Sequence, residues 1–205
     1  MLFIYGRNGF EVKVQTTPPS FTTSTDQRMP MTTIEQRIDR AKDFFARYGR
    51  EFMAEGVSQN LVAAYRTAIE NSWRLMREGG VTACCSACAA RDPAGCCGNG
   101  VEEWYDEWLL IVNLMLGCTI DRSRSIQEGC LFVGPRGCEL LARHQFCLNF
   151  LCPTIVDSIE PARVRMLQSV SGVELSAGWQ LEQQLRRWVR DHDGALAFCR
   201  QEGLI

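Results

Sequence analysis

Nine of the chain's eleven cysteines fall in two short stretches, and no other feature restricts what the chain can fold into as strongly. The first, VTACCSACAARDPAGCCG over residues 81–98, carries Cys84, Cys85, Cys88, Cys96 and Cys97. The second, GCLFVGPRGCELLARHQFCLNFLCP over residues 129–153, carries Cys130, Cys138, Cys147 and Cys152. Cysteines that only fill a core behave as small hydrophobes and sit on the apolar stripes of helices. That reading suits Cys118 and Cys199 and extends to Cys84. It does not suit thiols crowded into glycine-punctuated segments. An odd cysteine count without an export signal argues against a disulfide framework and for metal or thiol chemistry.

The N-terminal MLFIYGRNGF has no basic n-region, long apolar run or small-residue cleavage site, so a cytoplasmic location is expected. The longest apolar stretch, Leu109 to Gly117, is interrupted by Asn113 and falls far short of the ~18 residues that span a bilayer. A net charge of −2 and scattered arginines give no electrostatic footprint for nucleic acid. Arg186, Arg187 and Arg190 share a helix with Glu182 and Asp191 and read as a solvated face. With 46 % hydrophobic residues in 205, the chain can bury a core without covalent help. A metal would therefore organise one region rather than enable folding everywhere.

Helical periodicity dominates. Residues 1–31, rich in threonine and proline and without periodicity, read as a disordered extension, with Met29 and Met31 as alternative starts. Residues 32–205 read as a single helical domain. Thr33 with Gln36 makes a capping box for a helix over 34–53, its apolar face built on Ile34, Ile38, Ala41, Phe45, Tyr48 and Phe52. A second helix over 58–76 ends at Gly79-Gly80, and the link around Gly56 predicts an antiparallel hairpin. Residues 81–98 read as a loop. A third helix, capped by Asn99 and Glu102, spans 100–116, and its run of acidic residues reads as a first turn favoured by the helix dipole. A short helix over 138–146 and two more, over 161–170 and 176–191, complete the expectation. The last has a stripe of Leu181, Leu185, Trp188 and Val189. Aromatic side chains at Phe45, Tyr48, Phe52, Trp73, Trp104 and Trp108 are expected to form the core. The fold class is mainly α: an irregular bundle whose cysteine-rich loops form a metal site.

Each cysteine group alone has enough ligands for one tetrahedral thiolate site, and the two groups are predicted to converge. The candidate ligands are Cys85, Cys88, Cys96, Cys97, Cys130, Cys138, Cys147 and Cys152. With only His144 and His192 in the chain, a two-cysteine, two-histidine site is disfavoured. His144, between Cys138 and Cys147, reads as a neighbour of the site rather than a ligand. Thiolates suit Zn2+ and a [4Fe–4S] cluster alike, and spacing does not separate them.

The cysteine pattern resembles the YkgJ-type CxxCxxCC family of zinc- or iron-chelating proteins. Gly137-Cys138-Glu139-Leu140-Leu141 stands where that family has Gly-Cys-Ser-Ile-Tyr, Arg143-His144 where it has Arg-Pro, and Cys147 to Cys152 keeps its final spacing. Cys85-x2-Cys88 and Cys96-Cys97 resemble the motif that gives the family its name. The gap between Cys88 and Cys96 is longer, and no proline follows Cys130. The resemblance implies metal chelation more directly than any reaction. The function expected is thus a metal-binding protein whose centre is structural or electron-carrying. The alternatives are an enzyme, methyltransferase-like or redox, in which the centre supports catalysis, and a metal storage or delivery protein with Cys84 and Cys118 as exchange ligands. No protein partner is legible.

Overall fold

Thr33 starts the first helix as its sequence predicts. Its hydroxyl accepts the Gln36 N–H and the Gln36 side chain returns to the Thr33 N–H, so two orphan donors are satisfied together. In this computed structural model, which describes residues 32–91, 95–98 and 100–205, helix α1 covers Ile34–Phe44. A π-helical turn follows at Phe45–Gly49, and α2 covers Arg50–Ala54. The extension expected over 1–31 and the cap expected from Asn99 lie outside the described residues.

The single uninterrupted α-helix expected over 34–53 is thus corrected. The wider turn inserts one residue and so re-phases the apolar face. Eight residues of plain α-helix would leave Phe44 and Phe52 on different faces; the extra residue brings both inward, and both are fully buried. Phe45 and Tyr48 are only partly buried as a result. Gly49 makes room, since a β-carbon there would come within 2.4 Å of the Phe45 ring.

Helix α3, Gly56–Glu78, ends at Gly79, with Gly80 left-handed at φ +76°. It does not lie along α1 as a hairpin partner. Helix α3 packs along α8, and α1 packs on α5, Glu107–Met115. Helix α8 is one continuous element, Pro161–Asp191, where two helices were expected. Its glycines are not breaks. Gly172 has open space around it, and Gly178 lets the Tyr65 ring of α3 approach so closely that a β-carbon would lie 2.8 Å away. Helix α9, Asp193–Glu202, was not anticipated. It places Phe198 against Phe44 and Tyr48, while the Tyr48 hydroxyl donates to the Gly194 carbonyl at 3.0 Å.

The main core joins Ile34, Ile38, Phe44, Phe52 and Trp108 to the expected stripe of Leu181, Leu185, Trp188 and Val189. Burying a large apolar side chain of this kind contributes about 1.5–3 kcal/mol. Trp104, expected in this core, is instead 46 % exposed. A second cluster, Met76, Val81, Leu148, Ile155 and Leu167, lies under the cysteine-bearing segments. Among the described residues the fold is mainly helical, with one two-stranded sheet, and no helix is long and apolar enough to cross a membrane.

Candidate functional site

The first cysteine group begins on a helix, not a loop. Between Gly80 and Arg91 there is neither glycine nor proline, and Val81–Arg91 forms helix α4. The Ser86 hydroxyl donates back to the Thr82 carbonyl at 3.0 Å within it. Positions three apart on a helix share a face, so Cys85 and Cys88 are neighbours. Cys84 and Cys85 pack against the second apolar cluster.

Cys96 and Cys97 follow in a turn that is stitched directly to the second group. The Cys97 carbonyl accepts the Cys130 N–H at 2.7 Å, and Gly98 bridges Gly129. Glu102 secures this join. Expected to cap a helix start, it is instead 2 % exposed and accepts the N–H of Gly100 at 3.0 Å and of Leu131 at 3.4 Å. Arg124 pairs with the Glu102 carboxylate and also donates to the Gly129 carbonyl. Burial works to raise the Glu102 pKa, but the bonds from Arg124 and the backbone outweigh it and hold the carboxyl below its ordinary value.

The helix expected over 100–116 is consequently split. Val101–Trp104 is a 3-10 turn, and α5 starts only at Glu107, capped by Asp106, whose carboxylate accepts the Leu109 N–H at 2.9 Å. Tyr105, at the break, turns inward and is 1 % exposed. Arg37 of α1 holds the break by donating to the carbonyls of Glu103 and Tyr105, at 2.7 and 3.0 Å.

The second group is carried by a hairpin and two short helices. Strands β1, Val133–Gly134, and β2, Gly137–Cys138, pair antiparallel, with Gly137 at φ +102° closing the turn. The helix expected over 138–146 is therefore corrected: Cys138 ends a strand, and α6 is Gln145–Asn149. His144 caps it, its Nδ1 accepting the Phe146 N–H at 3.2 Å. Pro153 does not stop a helix but opens α7, Pro153–Ser158, with Cys152 at its cap.

These elements bring the two groups into mutual electrostatic range. Cys85 feels Cys96, Cys152 and Cys88; Cys147 feels Cys96; Cys130 feels Cys138 and Cys147. The Tyr105 hydroxyl accepts the His144 N–H at 3.0 Å and lies near enough to Cys138 and Cys147 to favour their thiolates. Arg143 favours the thiolates of Cys85, Cys138 and Cys147, while its guanidinium lies 4.6 Å from the Trp73 ring centre. Burial dominates nevertheless. It pushes Cys85 and Cys138 up to about 11 and Cys130 up to about 12, and it raises Cys147 too. Cys96 is raised first by its hydrogen bond with Cys97 and then by burial. All eleven cysteines are thiols in this structure.

The donor set is chemically suited to a soft metal: eight thiols, a phenol beside two of them, and a cation to offset thiolate charge. The side chains as they stand, however, do not close around one point. Among the described residues, no three histidine, cysteine or acidic groups are arranged to hold an ion. Cys118 and Cys199 have other surroundings. The Cys118 thiol donates to Asn113 Oδ1 and accepts the Leu141 N–H, both at 3.4 Å. Asn113 in turn exchanges bonds with Ala142, at 2.8 and 2.9 Å, fixing the segment that leads to Arg143. Cys199 is fully buried in the main core.

Sequence reasoning gave Tyr105, Arg143 and Arg124 no part in the metal site. Only Arg143 had a signal, its place beside His144 inside the second cysteine stretch. No family model, curated protein or solved structure matches the chain.

Proposed function

We propose that this chain is a metal-binding protein that holds zinc or an iron–sulfur cluster through cysteine thiolates, with a structural or electron-carrying role. The observation that supports this most directly is the meeting of two cysteine groups, distant in sequence, around Tyr105 and Arg143. The resemblance to the YkgJ-type family supports it from the sequence side.

Cys85, Cys88, Cys96, Cys97, Cys130, Cys138, Cys147 and Cys152 are the residues from which the ligands would be drawn. A bound zinc ion would supply a cross-link, and a cluster would supply one-electron chemistry. The chain's own contributions follow from its chemistry. Burial keeps Cys85, Cys130, Cys138 and Cys147 protonated near neutral pH, so loading through them releases protons and strengthens as pH rises. Arg143 offsets part of the negative charge that results. The Tyr105 hydroxyl donates to thiolate sulfur and orients it.

The test is anaerobic purification, after expression with zinc or with iron and sulfide, followed by metal and sulfide analysis, a visible spectrum and thiol titration. A colourless protein with stoichiometric zinc, or a brown one with matching iron and sulfide, each with fewer reactive thiols than the apo form, supports the reading. Substoichiometric metal after both regimes, with unchanged thiol reactivity, overturns it.

A further inference from the structure

A cavity of about 440 Å3 opens between the N-terminal end of α5, the middle of α8 and the Arg143–Gln145 segment. It touches the cysteine region through Arg143, His144 and Gln145, and none of the cysteines lines it. One wall is apolar, made by Leu109, Val112 and Leu175. Its mouth carries Trp179, an indole 63 % exposed, where an aromatic side chain on a helical bundle would ordinarily be covered.

Charge at this mouth is unbalanced. Asp106 and Glu182 both line it, and one guanidinium serves both: Arg186 donates from Nε to Glu182 at 2.7 Å and lies 3.9 Å from Asp106. Arg186 is itself committed to the Trp108 face, 4.4 Å from the ring centre. Two carboxylates against one cation leave a net negative charge next to an uncovered indole.

The inner end asks for polar atoms that the protein does not supply. Arg143 lines it, and its Nε is buried without a hydrogen-bond partner. Glu174 lies within electrostatic range of Tyr65 and Arg143, both lining residues; it is fully buried near the Ser72 hydroxyl, yet neither carboxylate oxygen reaches hydrogen-bond geometry with it or any other group. Buried polar groups in folded proteins are nearly always satisfied, by protein, water or ligand. The positive charge of Arg143 is directed to the Glu174 carboxylate, so this end does not select for an anion.

We propose that this cavity is a binding site for a small organic ammonium ion: the cation held by Glu182 and Asp106 with Trp179 over it, the apolar body against Leu109, Val112 and Leu175, and polar atoms or water reaching the inner end. Ammonium groups are attracted both to carboxylates and to the indole face, so the two features at the mouth select the same ligand charge. The site does not depend on the metal reading, and its test can be run on protein of any metal content.

The experiment is calorimetric titration of the full chain with three probes of similar size: 2-phenylethylammonium, 3-phenylpropionate and 3-phenylpropan-1-ol. The ammonium probe should bind about tenfold or more tightly than either of the others, and should change tryptophan fluorescence as it does so. Glu182→Gln should remove most of that preference, and Trp179→Leu should weaken the ammonium probe; both positions are on the α8 surface, and circular dichroism verifies folding. Equal binding of the three probes, preference for the anion, no binding by any, or a preference unchanged in Glu182→Gln overturns the proposal.

Discussion

The Cys97 carbonyl accepts the Cys130 N–H, so the last cysteine of the first stretch and the first cysteine of the second are joined through their backbones. The bond leaves both sulfurs uncommitted to it. The approach of the two groups is therefore built from main-chain and carboxylate contacts, with Glu102 and Arg124 as its brace.

That brace is testable by acid. Glu102 is held below its ordinary pKa in the fold, so its stabilisation is complete above the unfolded carboxylate value and is lost as pH falls through the lower folded value. Glu102→Gln should cost about 1–3 kcal/mol at pH 7, because the buried N–H and guanidinium donors lose their charged acceptor. The variant should also show a shallower stability loss than the parent below about pH 4. Urea melts from pH 3 to 7 check it, and parallel curves would contradict the assignment.

Metal content should discriminate between cysteines. Cys88→Ser and Cys147→Ser should each lower bound metal substantially, since a serine hydroxyl stays protonated and ligates poorly. Cys199→Ser should leave metal content unchanged but lower stability by about 1–3 kcal/mol, because it buries a hydroxyl in an apolar core. Elemental analysis alongside thermal melts separates the two effects. The opposite pattern would show that the ligand set is wrong.

Tyr105→Phe removes one oxygen from a buried position where it accepts the His144 N–H and lies beside Cys138 and Cys147. Stability should fall by about 1–2 kcal/mol. Metal affinity, measured by competition with a chelator, should fall about 10–100-fold. Unchanged affinity with lowered stability would reduce Tyr105 to a packing role.

The two glycines inside α8 should respond with opposite signs. Gly172→Ala places a methyl group in open space on a helix and should add about 0.5–1 kcal/mol. Gly178→Ala drives a β-carbon against the Tyr65 ring and should cost about 1–3 kcal/mol. Paired thermal melts decide it.

Much of this architecture was legible wherever local signals and burial agree. The Thr33–Gln36 box, the Gly79-Gly80 stop and the stripe ending at Val189 are local statements, and the fold keeps them. The errors came where a tertiary contact assigned a residue its role. The segment between 170 and 176 read as a break between two helices, because what holds α8 together there, including the Tyr65 ring packed on Gly178, lies on other elements. The third helix was started too early because nothing local says that Tyr105 must turn inward between Arg37 and the cysteines. Helix α4 is a different case. Its alanine-rich, breaker-free sequence favoured a helix, and the cysteines drew attention to the Pro93 and Gly95 that follow it. For the site, thiol chemistry is written in composition, whereas the phenol, guanidinium and carboxylate around it acquire meaning only through packing.

Helix α8 serves two masters along one rod. Leu167 and Ser171, in its first half, belong with the cluster beneath the cysteines, Ser171 donating to the Leu148 carbonyl, while Leu181, Leu185 and Trp188, in its second, belong to the main core. An unbroken helix cannot unwind in the middle as cheaply as it frays from an end. Amide exchange along it should therefore form a gradient, fast from Pro161 and slow toward Val189, so that local opening of the cysteine layer spreads only as far as the rod can fray and the rest of the molecule stays closed.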